Sequence, residues 1–160
     1  MLKIKVADIK YETMTDGVGL RTSIYCQGCN HHCKGCHNPQ TWDINKGVEY
    51  TVEELFNIIE KEKFSDVTFT GGDPMFQVEA FTELAKLVKI KTSKSIWCYT
   101  GFTYEEIKEN PTMSLILPYL DVLVDGKFIL EKRNTDLKFR GSENQKIIHL
   151  KNSEIEFIEK

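Results

Sequence analysis

Two periods of apolar and polar residues run along this 160-residue chain. A period of two marks residues 2–9 and 21–26 as strands. Residues 51–62 switch to helical spacing, with an apolar stripe of Val52, Leu55, Phe56 and Ile59, and Thr51 with Glu54 forms a capping box at the start. Asp66 to Thr70 is a short strand that stops at Gly71-Gly72. Residues 77–91 return to the helical period through Ala80, Phe81, Leu84, Ala85 and Val88. Ser95 to Thr100 predicts a strand ended by Gly101, Tyr104 to Glu109 a short helix, and 112–118 a further helical turn. Asp121 to Asp125 and Gln145 to Leu150 are the last two strands.

Strand–helix–strand order with short connections implies an α/β fold with parallel pairing. A closed eightfold barrel needs roughly 200 residues or more, and this chain is shorter. The expectation is an incomplete, TIM-type barrel: an open parallel sheet with helices outside, formed by residues 1–160 as a single domain. Reactive groups in such sheets gather at the C-terminal strand ends. The Cys-rich loop after residue 26, Gly71-Gly72-Asp73 and Asp125-Gly126-Lys127 all fall there.

Charge excludes some partners. The net charge is −3, with no concentrated basic tract, so no nucleic-acid footprint is expected. No apolar run approaches the roughly 20 residues of a membrane span, and the alternating start resembles a strand rather than a signal peptide. A cytoplasmic, reducing location is the default. Four of the five cysteines fall between positions 26 and 36. A disulfide scaffold would spread them through the chain, so a metal site fits better. Cys98 reads as a small buried apolar residue.

Cys29, Cys33 and Cys36 are spaced Cys-x3-Cys-x2-Cys. Three thiolates on one short loop can bind three irons of a cubane [4Fe-4S] cluster and leave the fourth iron open. An open iron can take a small molecule directly, which points to catalysis. The alternative is zinc held by Cys26, Cys29, Cys33 and Cys36, in an interaction module without activity. Structural zinc sites usually separate two Cys pairs by a longer insert, and Cys26 sits on an alternating strand. His31 and His32 read as loop residues, not ligands.

The runs Gly17-Val-Gly19-Leu-Arg21 and Tyr25-Cys-Gln-Gly28-Cys29-x3-Cys33-x2-Cys36-His37-Asn38 resemble the signature of the glycyl-radical activating enzymes. These belong to the radical S-adenosylmethionine superfamily. Further segments are similar to the branch that activates the anaerobic ribonucleoside-triphosphate reductases: Cys36 to Trp42, Thr70 to Pro74, Trp97 to Gly101 and on through Glu106, Asp121 to Phe128, and Phe139 to Lys146. The resemblance implies the radical SAM fold, a [4Fe-4S] cluster on Cys29, Cys33 and Cys36, and S-adenosylmethionine on the open iron. It implies a 5′-deoxyadenosyl radical that makes a glycyl radical on the large subunit of the partner reductase. It also implies a flavodoxin-type electron donor, and a homodimer or a complex with a dimeric reductase. The nearest rival is an activator of another glycyl-radical enzyme, of the formate–lyase type; a second acts on a small molecule.

The same resemblance distributes the remaining site residues. Gly71, Gly72 and Asp73 stand where the family has two glycines and a glutamate beside the methionyl group. Small residues allow close backbone approach, and an acid accepts from an ammonium. Asp73 is one methylene shorter, and its other reading is a helix N-cap. Gly35 replaces the aromatic that often precedes the third cysteine, which leaves His37 and Asn38 for the nucleoside side. Asp125 and Lys127 face the cofactor or the incoming peptide; the alternative is a tight Asp-Gly turn with Lys127 exposed. Gly17 and Gly19 supply a turn, Asp16 and Arg21 bracket the opening, and Trp42 packs under the loop. Arg140 and Lys146 meet the partner or form a solvated basic face.

Overall fold

The computed structural model describes residues 2–159. Its strands are β1 (Lys3–Thr13), β2 (Arg21–Cys26), β3 (Val48–Thr51), β4 (Asp66–Gly71), β5 (Ile96–Tyr99), β6 (Val122–Asp125), β7 (Lys146–Lys151) and β8 (Glu154–Ile158). The α-helices are α1 (Val52–Lys61), α2 (Val78–Lys91) and α3 (Tyr104–Glu109). All eight strands join one sheet in the order β3-β1-β2-β4-β5-β6-β7-β8.

The expected incomplete TIM-type barrel does not form. The sheet is mixed and not closed, and helices are too few to sheath a barrel. Only β2, β4, β5 and β6 pair in parallel. Both flanks are antiparallel: β3-β1-β2 on one side and β6-β7-β8 on the other. The reason lies in the connections. Parallel neighbours need a crossover of a dozen or more residues. Residues 14–20 are too short a link for that, so β2 folds back on β1. Asn152 and Ser153 both take positive φ, 51° and 71°, the geometry of a two-residue hairpin turn, so β8 folds back on β7. Residues 126–145 carry no apolar helical stripe, and β7 returns antiparallel without a crossover helix.

Individual elements follow the local pattern more closely. The Thr51–Glu54 capping box is present in both directions, at 3.1 Å and 2.9 Å, and starts α1. Val52, Leu55, Phe56 and Ile59 of α1 are buried, as are Ala80, Phe81, Leu84, Ala85 and Val88 of α2. A second capping box, Thr103 with Glu106, opens α3. The 112–118 turn is a 3₁₀ segment, Met113–Tyr119.

Strand alternation gives the sheet two unlike faces. Ile24, Cys26, Val67, Phe69, Ile96, Cys98, Leu123 and Ile148 point to the helices and form the main core with α1 and α2. Trp97, Val122, Val124 and Ile147, with Tyr99 and Phe139 against them, form a small cluster on the other face. That second face floors the cleft.

Candidate metal centre and cleft

The Cys loop leaves the end of β2, and its base is pinned by two glutamines. Gln27 is buried, and its Nε2 donates to the carbonyls of Gln40 (3.0 Å) and Asp43 (2.8 Å). Gln77 donates to the carbonyls of Gln27 (2.9 Å) and Lys5 (3.0 Å). The backbone N–H groups of Gly28 and Cys29 donate to Thr41 and Trp42. On this frame Cys29, Cys33 and Cys36 stand as free, partly exposed thiols.

Each cysteine has its own surroundings. Burial pushes the Cys29 thiol up to about 11, while the backbone N–H of His31, and then that of His32, pull it back. Metal ligation must displace that proton. The backbone N–H of Asn38 donates to Cys36 Sγ at 3.4 Å. His32 takes a left-handed backbone (φ 50°), and its ring stacks on Trp42 at 4.5 Å. Trp42 therefore packs against the loop, as expected.

The β4 end runs beside this loop. Gly72 N–H donates to the Cys26 carbonyl and Asp73 N–H to that of Gly28. Gly71 has φ 97°, and a Cβ there would stand 2.5 Å from the Cys26 nitrogen. A Cβ on Gly72 would stand 2.4 Å from the Gly28 carbonyl oxygen. Both glycines are required by the chain's own backbone.

Asp73 is fully engaged inside the protein. One oxygen accepts from Met75 N–H (2.9 Å), the N-cap contact of the 3₁₀ turn Pro74–Gln77. The other accepts from Gly101 N–H (2.8 Å) and lies 2.7 Å from His31 Nε2. The Thr100 hydroxyl reaches both oxygens at 2.9 Å.

A cavity of about 430 Å³ opens over the cleft face. The structure brings Cys29, Cys33, Cys36, His37, Asn38, Gly71, Gly72, Asp73 and Lys127 to its walls. Two expected residues are not there. Gly35 has φ 79°, and a Cβ on it would meet Leu130 and Phe128 at 2.9 and 3.2 Å, so an aromatic at 35 has no room. Phe128 lines the cavity instead, edge-on to His37 at 5.3 Å. Asp125 lies on the helix side, where its carboxylate accepts from Tyr104 N–H at 2.7 Å. Burial raises its pKa, and the Tyr104 N–H opposes that rise.

The pair expected at the opening splits. Asp16 lines the cavity and accepts from the Tyr25 hydroxyl. Arg21 is 1% exposed, stacked over Trp97, and donates to Thr68 Oγ1 and to the carbonyls of Val18, Val67 and Ser95. Tyr25, Tyr99 and His31 also line the cavity and were not picked out from the sequence. Burial pushes both phenols well above their usual range, so they stay protonated. His31 meets Asp73 from 42 positions away, whereas Tyr25 meets Asp16 from nine and the Tyr99 hydroxyl has no partner among the described residues.

The donor set suits a three-thiol cluster better than zinc. Cys26 is buried in the helix-side core, so it cannot complete a four-thiol set on the cleft side. Among the described residues, no three His, Cys, Asp or Glu side chains converge as a single metal ion requires. No helix among them is long and apolar enough to cross a membrane.

Comparison with known proteins fits this arrangement. A family described as a 4Fe-4S single cluster domain matches residues 15–148. The chain is 39% identical over 144 residues to an anaerobic ribonucleoside-triphosphate reductase-activating protein of Vibrio cholerae, covering 85% of this chain and 91% of that protein. It is 36% identical over 140 residues to the protein of that name from Enterobacteria phage T4, covering 82% and 85%. The Escherichia coli K12 protein of that name is 32% identical over 147 residues, covering 86% and 94%.

Proposed function

We propose, for a chain that belongs to the family of anaerobic ribonucleoside-triphosphate reductase-activating proteins, that its cleft is the place where a glycyl radical is generated on such a reductase. The observation that carries this reading is the set of three free thiols, Cys29, Cys33 and Cys36, lining one cavity, with Cys26 and Cys98 buried away from it among the described residues.

Those three residues would hold a [4Fe-4S] cluster by three irons. Held there, such a cluster would supply the single electron needed for reductive cleavage of S-adenosylmethionine and hydrogen-atom abstraction from a backbone glycine. The protein's part is to position and to exclude water. The backbone at Gly71-Gly72 offers the methionyl group carbonyl acceptors at the cavity wall. Asp73 is too fully engaged to serve there. Lys127 gives a cation for the methionyl carboxylate. His37, Asn38 and Phe128 provide the nucleoside side. The phenols of Tyr25 and Tyr99, with Asp16, line the floor where a peptide loop would lie.

The whole chain acts as one catalytic unit in the reducing cytoplasm, where five thiols stay free. A flavodoxin-type protein supplies the electron, and the activator works in a complex with a dimeric reductase or as its own dimer.

The test is anaerobic reconstitution with iron and sulfide, then incubation with the reductase, S-adenosylmethionine and dithionite. Electron paramagnetic resonance should show a glycine-centred doublet on the reductase. A cluster whose every iron is capped by a side chain, or a reductase that never gains the doublet, would overturn the reading.

A further inference from the structure

We propose that His31 and Asp73 form a buried latch that holds the Cys29–Cys36 loop in its cluster-receiving shape, with the Asp73 carboxylate serving this latch and not a small-molecule ligand. The inference rests on the cluster reading above and assigns positioning roles to two residues within it.

The pair is deeply enclosed: the side chains of His31 and Asp73 are 7% and 1% exposed. A carboxylate in such a place is costly unless its lone pairs are filled. Here they are filled from three separate segments. Met75 N–H comes from the turn after β4, Thr100 and Gly101 from the end of β5, and His31 from the Cys loop. Among these contacts, only the one from His31 ties the Cys loop to Asp73. An ionised carboxylate only accepts, so the contact calls for the His31 tautomer that carries its proton on Nε2.

The ring has a seat built for it. Phe76 and Phe102 flank it at 5.3 and 4.7 Å. A Cβ on Gly101 would come within 2.6 Å of His31 Cδ2, so the ring occupies the space a side chain would fill. His31 stands two residues from both Cys29 and Cys33, and its own N–H faces the Cys29 sulfur. Fixing the ring therefore fixes the backbone between two ligand cysteines. The latch sets where the sulfurs stand, as outer partners do at other metal sites.

The experiment compares wild type with His31→Gln, His31→Asn, Asp73→Asn and the His31→Asn/Asp73→Asn double variant. Gln places its amide nitrogen near the Nε2 position and can donate to Asp73; Asn is one methylene too short. All are reconstituted anaerobically, and cluster loss to a ferrous-iron chelator is followed by absorbance without S-adenosylmethionine. S-adenosylmethionine affinity of the loaded fraction is read separately from its effect on the reduced cluster's paramagnetic spectrum. H31N and D73N should lose the cluster about 10-fold faster or more, and the double variant no faster than the worse single one. H31Q should stay within about 3-fold of wild type. Affinity in the loaded fraction should change little. Wild-type retention in H31N overturns the latch, as do multiplicative losses in the double variant. So does a D73N protein that keeps its cluster but binds S-adenosylmethionine more weakly. A wild-type protein that assembles no cubane counts against the proposed function instead. Should H31N fail to fold, D73N against H31Q decides: equal retention in the two overturns the latch, and faster loss in D73N alone upholds it.

Discussion

The two faces of the central sheet come from alternate residues of the same strands, yet they meet different demands. On the helix side, Ile24, Cys26, Val67, Phe69, Ile96, Cys98 and Leu123 are all buried and apolar. On the cleft side the same strands present Arg21, Ser23 and Tyr25, then Thr68 and Thr70, then Trp97 and Tyr99. The helix side is held mainly by area removed from water, with Asp125, paired to Tyr104 N–H, and Thr22 as its buried polar exceptions. The cleft side keeps polar groups buried and meets them individually: Arg21 is satisfied by three carbonyls and two hydroxyls, while the buried Tyr99 hydroxyl has no partner among the described residues. Stability and chemistry are thus assigned to opposite sides of one sheet, and the five cysteines divide the same way.

That division can be broken most sharply through the cysteines. Replacing Cys29, Cys33 or Cys36 by Ala should abolish S-adenosylmethionine cleavage while the melting of the cluster-free protein stays put. Replacing Cys26 or Cys98 by Ala should leave cleavage intact at low temperature. Full cleavage in a C33A protein without a cubane would end the division. The next effect belongs to the helix side: Leu84→Ala, in a fully buried site, should cost about 2–5 kcal/mol in urea unfolding with no change in the chemistry of the folded fraction.

Gly72→Ala tests the seam between the faces. Its Cβ would press on the Gly28 carbonyl, so a cost of about 1–3 kcal/mol is expected, together with faster cluster loss. The smallest effect is a pH slope. Burial raises the Asp125 pKa, so the folded state holds that proton more tightly than the unfolded chain. Its contribution to stability is greatest below the unfolded value and falls as pH rises through the folded one. Asp125→Asn keeps an acceptor for Tyr104 N–H and should remove that slope, measured as urea midpoints from acid to neutral pH. An unchanged slope would place the effect elsewhere.

How much of this was readable along the chain depends on how local each cause is. The stripes of α1 and α2 and the Thr51–Glu54 box act within a few residues, so periodicity revealed them. Strands β3 and β8 escaped because each is an edge strand with little buried surface: Glu154–Ile158 is exposed throughout. The sheet's mixed direction escaped because it is set by link lengths, not by strand pattern. Arg21, expected at the opening, is instead buried, because the carbonyls of Val18, Val67 and Ser95, which lie far apart along the chain, capture it. The Cys spacing exposed the thiols, but the His31–Asp73 contact joins residues 42 positions apart and leaves no local trace. The N-cap contact of Asp73 with Met75 N–H was legible along the chain, while its partners His31, Thr100 and Gly101 were not.

The split of the thiols also gives the molecule its own gauge. Cys26 and Cys98 are fully shielded, whereas Cys29, Cys33 and Cys36 reach solvent. Alkylation of the native, metal-free chain should therefore add up to three tags by mass spectrometry, Cys29 the slowest because burial holds its proton, and denaturation should reveal two more. On the proposed ligand set, each loaded molecule should withhold the first three, so the tag count of a preparation would read out the fraction that carries its inorganic core.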